Sequence, residues 1–553
     1  MTAIKKGSRY LAKHIFKITA FVGLGFLGLA TQLTDEFEIA KNIEIFSNIY
    51  KEVHTYYVDE LEPEKVMRSG MRAMLGQLDP YTTYIAPDEV ERFESGISGR
   101  YAGVGASVAI LEKEALVTNV HENAPAAKAG LRVGDVLINA GGQSLQGKTI
   151  IEISQILRGE PNSKVSVEVR RGGEAKLVKL EITRAEILLP NVVMAKMLDE
   201  RTAYVSLNAF TENAGKNLSQ ALTNLRSNNK IEQIILDLRD NGGGLLSESV
   251  NVANLFLPKG QLIVQLKGRD LERQQNYSTL NNSFDPNARL VVLINNRSAS
   301  ASEIVAGAIQ DLDRGVIIGE RSFGKGLVQS TRNLSYGAKL KITTARYYVP
   351  SGRCIQSAAY KDGQPVAIAD SLRAAFKTKA GRKVLDGGGI SPDINLVNSE
   401  WQQLLASLNR KQLIFDFATN YRQKQATIAT AADFKLTSKD FDAFLSFLKT
   451  KNYNYQTETD KLLEEFEKKA KEEKLWDDNK TQIEKIKKTI DAEKTALLQK
   501  YRKELTQELE AEIVRRYYFE RGRVEHLLAT DPAVAKAMSV LNDQNEYKKL
   551  LMP

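Results

Sequence analysis

Leu290-Val291-Val292-Leu293-Ile294-Asn295-Asn296-Arg297-Ser298-Ala299-Ser300-Ala301-Ser302-Glu303 begins as an apolar run, stops at a polar turn and restarts as a helix-like stretch, Glu303–Asp311. A short apolar run bounded by turn signals reads as a buried strand. The pattern recurs on both sides. Upstream, Ile234–Leu238 runs into Gly242-Gly243-Gly244 and a helix through Phe256; downstream lie Val316–Ile318 and the longer alternating strand Lys339–Val349. Strands interleaved with helices predict βα units around a sheet. Residues 186–400 are therefore expected to form an α/β domain.

Working outward, residues 96–185 change character. Short apolar strands (Val104–Ile110, Leu116–Val120, Val136–Ala140, Val165–Arg170, Lys176–Ile182) alternate with glycine turns, and two short helices fit near Ala124–Ala129 and Thr149–Arg158. This predicts a compact β-rich module. Residues 35–95 read as helical, with Phe37, Ile43, Phe46, Ile49, Tyr50 and Val53 at helical spacing. Residues 401–553 also read as helical. One apolar stripe there (Ile483, Ile486, Ile490, Leu497, Tyr501, Leu505, Leu509, Ile513) predicts a core or oligomer contact.

The N-terminus carries Lys5, Lys6, Arg9, Lys13 and Lys17 before the charge-free stretch Ile18–Leu33. That is the pattern of an export signal, so residues 1–34 are expected to act as a cleaved leader or a retained inner-membrane anchor. The body is then extracytoplasmic, in the periplasm of a cell that has one. The single cysteine, Cys354, excludes an internal disulfide and a multi-cysteine zinc site. The net charge of +9 is spread along the chain with no aromatic-interleaved basic patch, so a nucleic-acid partner is not expected.

Two residues carry the candidate chemistry. Ser300 sits at a strand-to-helix turn, and Lys325 sits in Gly324-Lys325-Gly326. None of the four histidines lies near Ser300 in sequence, so a serine nucleophile here would use lysine as its base. An amine with an ordinary pKa of about 10.4 must lose its proton to serve, and burial lowers such a pKa. The N–H of Ala301, at the helix start, is a candidate oxyanion donor, and Gly242-Gly243 offers a second. Gln329, four residues after Lys325, is placed to hold the amine. A competing reading takes Gly319-x-x-x-x-Gly324-Lys325 as a phosphate-binding loop. It fails twice: position 326 is Gly where a metal-binding hydroxyl is required, and Leu327–Thr331 reads as a strand where a helix should open. No metal or nucleotide cofactor is expected.

Ala124–Ile138 closely resembles the PDZ domain family, and Gly103-Val104-Gly105-Ala106 resembles its carboxylate-binding loop. Such a loop offers backbone N–H groups to a chain end, and the adjacent strand accepts the peptide. Ser298–Ile304, Phe323-Gly324-Lys325-Gly326 and Leu236–Gly244 together resemble the carboxy-terminal processing (tail-specific) peptidases, as do Leu78–Thr82 and Pro350–Arg353. The resemblance covers about residues 40–395. It implies a mixed α/β, multidomain chain: a helical N-terminal segment, a PDZ domain, a Clp-protease/crotonase-like catalytic core, and a helical C-terminal extension outside that core. It also implies Ser300 as nucleophile, Lys325 as base, Gln329 completing a triad, and Asp311 and Arg239 as supporting residues. The expected function is an exported serine endopeptidase that recognises unstructured apolar C-terminal tails and cleaves through an acyl-enzyme. The alternative is a non-catalytic PDZ scaffold. The C-terminal extension is a candidate surface for a homo-oligomer or an adaptor.

Overall fold

A computed structural model describes residues 36–172, 177–269, 274–361, 363–397, 399–451, 453 and 458–553. The expected leader, residues 1–34, lies outside the described residues. The chain divides into two compact units: residues up to Tyr84 with Lys361–Gln364, and Ile85–Tyr360 with Pro365–Pro553. In the first unit, helices over 36–56 and Pro63–Gly76 answer the helical periodicity. They touch where the Phe46 ring lies against Gly70 and where Tyr50 Oη donates to Pro63 O (3.0 Å). No described helix is long and apolar enough to cross a membrane.

In the second unit the β-rich module forms as the sequence predicts. Five antiparallel strands run in the order Ala106–Leu111, Glu114–Val120, Val136–Ala140, Lys164–Arg170, Leu177–Thr183 around a core that includes Val117, Leu137, Ile153, Val167 and Ile182. The helix Ile150–Leu157 starts at a capping box, with Thr149 accepting from Glu152 N.

The α/β domain centres on a six-stranded sheet: β1 (Val192–Met197), β2 (Thr202–Leu207), β3 (Gln233–Asp237), β4 (Arg289–Ile294), β5 (Val316–Gly319) and β6 (Ile394–Asn395), in that order. The pair β1/β2 is antiparallel and every later pair is parallel. Every residue of β2 and β3 is buried, as parallel strands covered on both faces require. Alternate side chains serve opposite faces. Val205, Leu236, Val292 and Ile317 pack under the helices Ala214–Arg226 and Leu246–Asn254 and under α1 (Ala301–Asp311). Tyr204, Ile235, Val291, Leu293 and Ile318 face the other way.

What covers that second face departs from expectation. It is the end of the chain, which the sequence reading set outside the core. The long helix α2 (Arg502–Leu528) leads into α3 (Pro532–Asn542) and α4 (Gln544–Leu550), and Val534, Ala537, Val540, Leu541 and Tyr547 pack on the sheet. Gln233 Nε2 donates to Leu541 O (3.0 Å), and the Tyr547 hydroxyl accepts from Leu290 N (3.0 Å). The sheet needs this cover, because its own parallel strands are apolar on both faces. Leu541 is fully buried, so Leu541→Ala is expected to cost about 2–5 kcal/mol of unfolding free energy. A urea titration followed by circular dichroism measures it. A loss below about 1 kcal/mol would mean the sheet does not depend on this cover.

The expected stripe of the helical tail is partly borne out as core. Tyr501, Leu505, Leu509 and Ile513 are buried against Leu404, Phe417, Phe441 and Phe444, whereas Ile486 stays exposed.

Candidate active site

The turn after β4 holds three serines, and the structure separates them. Ser298 Oγ donates to Leu238 O (2.8 Å) and accepts from Asn295 N (3.0 Å); Ser302 Oγ donates to Asn241 O (2.8 Å). Both are fully buried. Ser300 is half-buried and makes no side-chain capping bond at the start of α1. Its backbone sits at φ 57°, ψ −111°, a conformation that costs a non-glycine residue energy and persists only where the surroundings impose it.

Glu303 imposes it. This side chain is fully buried one turn into α1, and both oxygens receive donors. Oε2 accepts from Ser300 N (2.8 Å) and Lys325 N (2.9 Å); Oε1 accepts from Ser322 Oγ (2.5 Å) and Gly324 N (2.7 Å). The amides of Ser300 and Lys325 thus share one oxygen atom. The carbonyls of the same two residues share a second partner, the buried Tyr347 hydroxyl, whose single O–H is bifurcated between Ser300 O (3.2 Å) and Lys325 O. Two residues far apart in sequence are brought together at both ends of their backbone units. Burial pushes the Glu303 carboxyl up to about 7, against the opposing pull of its four donors.

The glycine turn after β3 closes on Ser300. A Cβ on Gly243 would lie 2.8 Å from Ser300 Cβ and 3.0 Å from Ala301 N, so glycine is needed at that close approach. Asn241, fully buried, joins the two turns. Its carbonyl accepts from Ala299 N (3.0 Å) and Ser302 Oγ, its Nδ2 donates to Leu207 O (2.7 Å), and its Oδ1 accepts from Gly243 N (2.9 Å). The Gly243 N–H is therefore already committed. Of the two glycines expected as oxyanion donors, Gly242 is the one whose N–H bonds no protein group among the described residues.

The other expected residues are placed as follows. Gln329 Nε2 donates to Thr343 Oγ1 (3.2 Å) across the pair formed by Leu327–Asn333 and Lys339–Tyr348. Asp311 forms a fully buried ion pair with Arg353 (2.8 Å), and its Oδ2 accepts from Ser351 N (3.0 Å), fixing the turn that follows the strand bearing Tyr347. Arg239 grips Asp237 and reaches Asp531 at the cap of α3 (2.7 Å), so the tail steadies the start of the glycine turn. In the PDZ module, Gly105 takes φ +79°, and a Cβ there would meet Ala124 Cβ at 2.3 Å. Gly103-Val104-Gly105-Ala106 is held by His121 N on Gly105 O (3.0 Å) and Ala126 N on Val104 O (2.8 Å). No group of three or more potential metal ligands occurs among the described residues.

Sequence reasoning missed Glu303, Tyr347, Asn241 and Asp531. The spacing Ser300-x-x-Glu303 is that of a capping box and was the one signal available for Glu303.

Comparison with known proteins decides the family. A carboxy-terminal-processing protease of Bartonella bacilliformis is 32% identical over 356 residues, which cover 63% of this chain and 80% of that protein. The chain belongs to the carboxy-terminal-processing serine proteases. Within it, the profile of peptidase family S41 matches residues 201–362 and that of the PDZ domain residues 116–171. A third profile, "Probable PDZ-protease, C-terminal helical domain", matches residues 404–541, so the helical tail has counterparts of its own. A "Probable CtpA-like serine protease" of Staphylococcus aureus strain COL is 33% identical over 323 residues, covering 58% of this chain. The chain spans 64% of that relative's length. Among solved structures, a photosystem II D1 C-terminal processing protease is 29% identical, covering 64% of this chain and 92% of its own, with a TM-score of 0.36.

Proposed function

We propose that this protein is an exported endopeptidase that captures the C-terminal tails of other proteins on its PDZ domain and cleaves them at Ser300, with Lys325 as base. One observation carries the reading: Ser300 and Lys325 are tied to the same Glu303 oxygen and the same Tyr347 hydroxyl, while the neighbouring serines are committed to buried carbonyls. Lys325 takes the hydroxyl proton as Oγ attacks the peptide carbonyl. The oxyanion that forms is met by the N–H of Ala301, with Gly242 opposite. The amine leaves with a proton returned by Lys325, and water then hydrolyses the acyl-enzyme. Gln329 orients the amine once it turns from Thr343. The leader-like sequence of residues 1–34 supports export, with the body outside the cytoplasm.

On the PDZ domain, the amides of Val104 and Gly105 bond no protein acceptor among the described residues and are suited to a terminal carboxylate. A fluorogenic peptide ending in a free apolar C-terminus is therefore expected to be cleaved with kcat/KM at least tenfold above its C-terminal amide. Equal rates would remove the PDZ carboxylate site from the reading. Tail binding with no cleavage of either peptide would leave the scaffold reading in its place.

A further inference from the structure

The helix α2 breaks at Tyr518 (φ −122°, ψ 16°) and Phe519 (φ 58°, ψ −166°). The Phe519 conformation is one that essentially only glycine adopts without strain. The break turns Phe519 onto the PDZ core, where it packs with the cluster that includes Val120 and Leu131. Just before the break, Arg515 Nη2 donates to Thr118 O (2.7 Å). Between the PDZ module and the helical tail these contacts leave a cavity of about 420 Å³, within the range of small-molecule sites.

Its lining is chemically one-sided. Four arginines, Arg132, Arg422, Arg515 and Arg516, face it, and no aspartate or glutamate does. Two of the four are neutralised from outside: Arg516 by Glu512 (2.8 Å), and Arg515 by Glu512 and Glu520 (3.4 Å each). Arg132 and Arg422 form no ion pair among the described residues. The carboxylate nearest in sequence to Arg132, Asp135, is bidentate to Arg171 (2.8 and 2.7 Å). Arg422 lies over the Tyr517 ring (4.3 Å) with Nη1 on the carbonyls of Gln425 and Ala426, and its Nε is buried with no hydrogen-bond partner. Burial, then the positive charges of Arg171 and Arg422, lower the Arg132 guanidinium from its ordinary value. Two guanidiniums without a carboxylate partner therefore line one cavity, an arrangement that suits an anion able to hydrogen-bond both. The remaining wall is apolar, with Val120, Leu131, Val133, Ile428 and Phe519.

We propose that this cavity binds a small amphiphilic anion, its carboxylate or phosphate held between Arg132 of the PDZ domain and Arg422 of the helical tail and its apolar body against Phe519. Because the two guanidiniums come from different parts of the chain, the bound anion fastens one to the other. The site is separate from Ser300 and does not depend on the catalytic reading.

The test is isothermal titration of the full chain with octanoate, octyl phosphate, octanol and inorganic phosphate. At least one of the two amphiphilic anions is expected to bind saturably, and their ratio identifies the preferred head group. Octanol and inorganic phosphate are each expected to bind at least tenfold more weakly. Arg132→Gln, an exposed position where the fold is not at stake, and Arg422→Gln are each expected to weaken the better anion at least tenfold. No saturable binding of either anion, binding as tight for octanol or phosphate, or affinity unchanged in Arg132→Gln would overturn the proposal.

Discussion

Ser300→Ala is expected to lower kcat/KM for a tail peptide by at least about 10⁴-fold, the order seen when an activated nucleophile is removed. The fold should survive, because the Ser300 hydroxyl makes no capping bond and the strained backbone is held by Glu303 and Tyr347, not by the side chain. Lys325→Ala is expected to fall to the same level. The decisive measurement is the double variant. If the two residues act as one unit, Ser300→Ala/Lys325→Ala is no slower than Ser300→Ala alone. Losses that multiply would mean that Lys325 acts elsewhere, and a Ser300→Ala enzyme with full turnover would move the nucleophile away from position 300. Ser298→Ala and Ser302→Ala are the controls. Ser298→Ala removes the bond to Leu238 O and the acceptor of Asn295 N, and Ser302→Ala removes one of the two donors to Asn241 O, so each is expected to lower stability first.

What the sequence made legible was local. The run from Leu290 through Glu303 to Asp311 is strand, turn and helix, because an apolar run bounded by a polar turn is a short-range signal. The near-miss phosphate loop was rejected on the strand character of Leu327–Thr331, and Leu327–Asn333 is a strand. The PDZ strands followed from alternation and glycine turns. The pieces that escaped are joined over long chain separations. Tyr347 reaches the Ser300 carbonyl across 47 residues, and nothing in an alternating strand marks one tyrosine for that bond. The cover of the second sheet face comes from α3 and α4, whose apolar residues state only that a partner exists. The committed N–H of Gly243 depends on the side chain two residues before it, a choice the glycines themselves do not encode. Periodicity reports which face is buried. Which groups meet there is set by topology.

Glu303→Gln is expected to cost about 10²–10³-fold in kcat with the protein still folded, because it changes one oxygen into an amide at the junction of the turns that carry Ser300 and Lys325. All four neighbours of the carboxylate donate: three backbone N–H groups and the Ser322 hydroxyl. Gln has one acceptor and one donor, so whichever way it turns, its NH₂ meets at least one backbone N–H. A donor facing a donor in a dry site costs about 1–3 kcal/mol and opens the contact. If Ser300 N or Lys325 N moves by about 1 Å, about 10²-fold in rate goes with it. A pH profile distinguishes this from simple loss of fold. With its carboxyl raised to about 7, Glu303 holds a proton in the native state that the unfolded chain releases near pH 4.5. Its contribution to stability is therefore present below about pH 4.5 and declines as pH rises through 7. Activity moves the other way, since only the anion accepts all four donors. Wild-type kcat is expected to climb through an acid limb near pH 7, and Glu303→Gln, which cannot ionise, to lose that limb. An acid limb retained unchanged in Glu303→Gln would assign it to another group and leave Glu303 as packing alone.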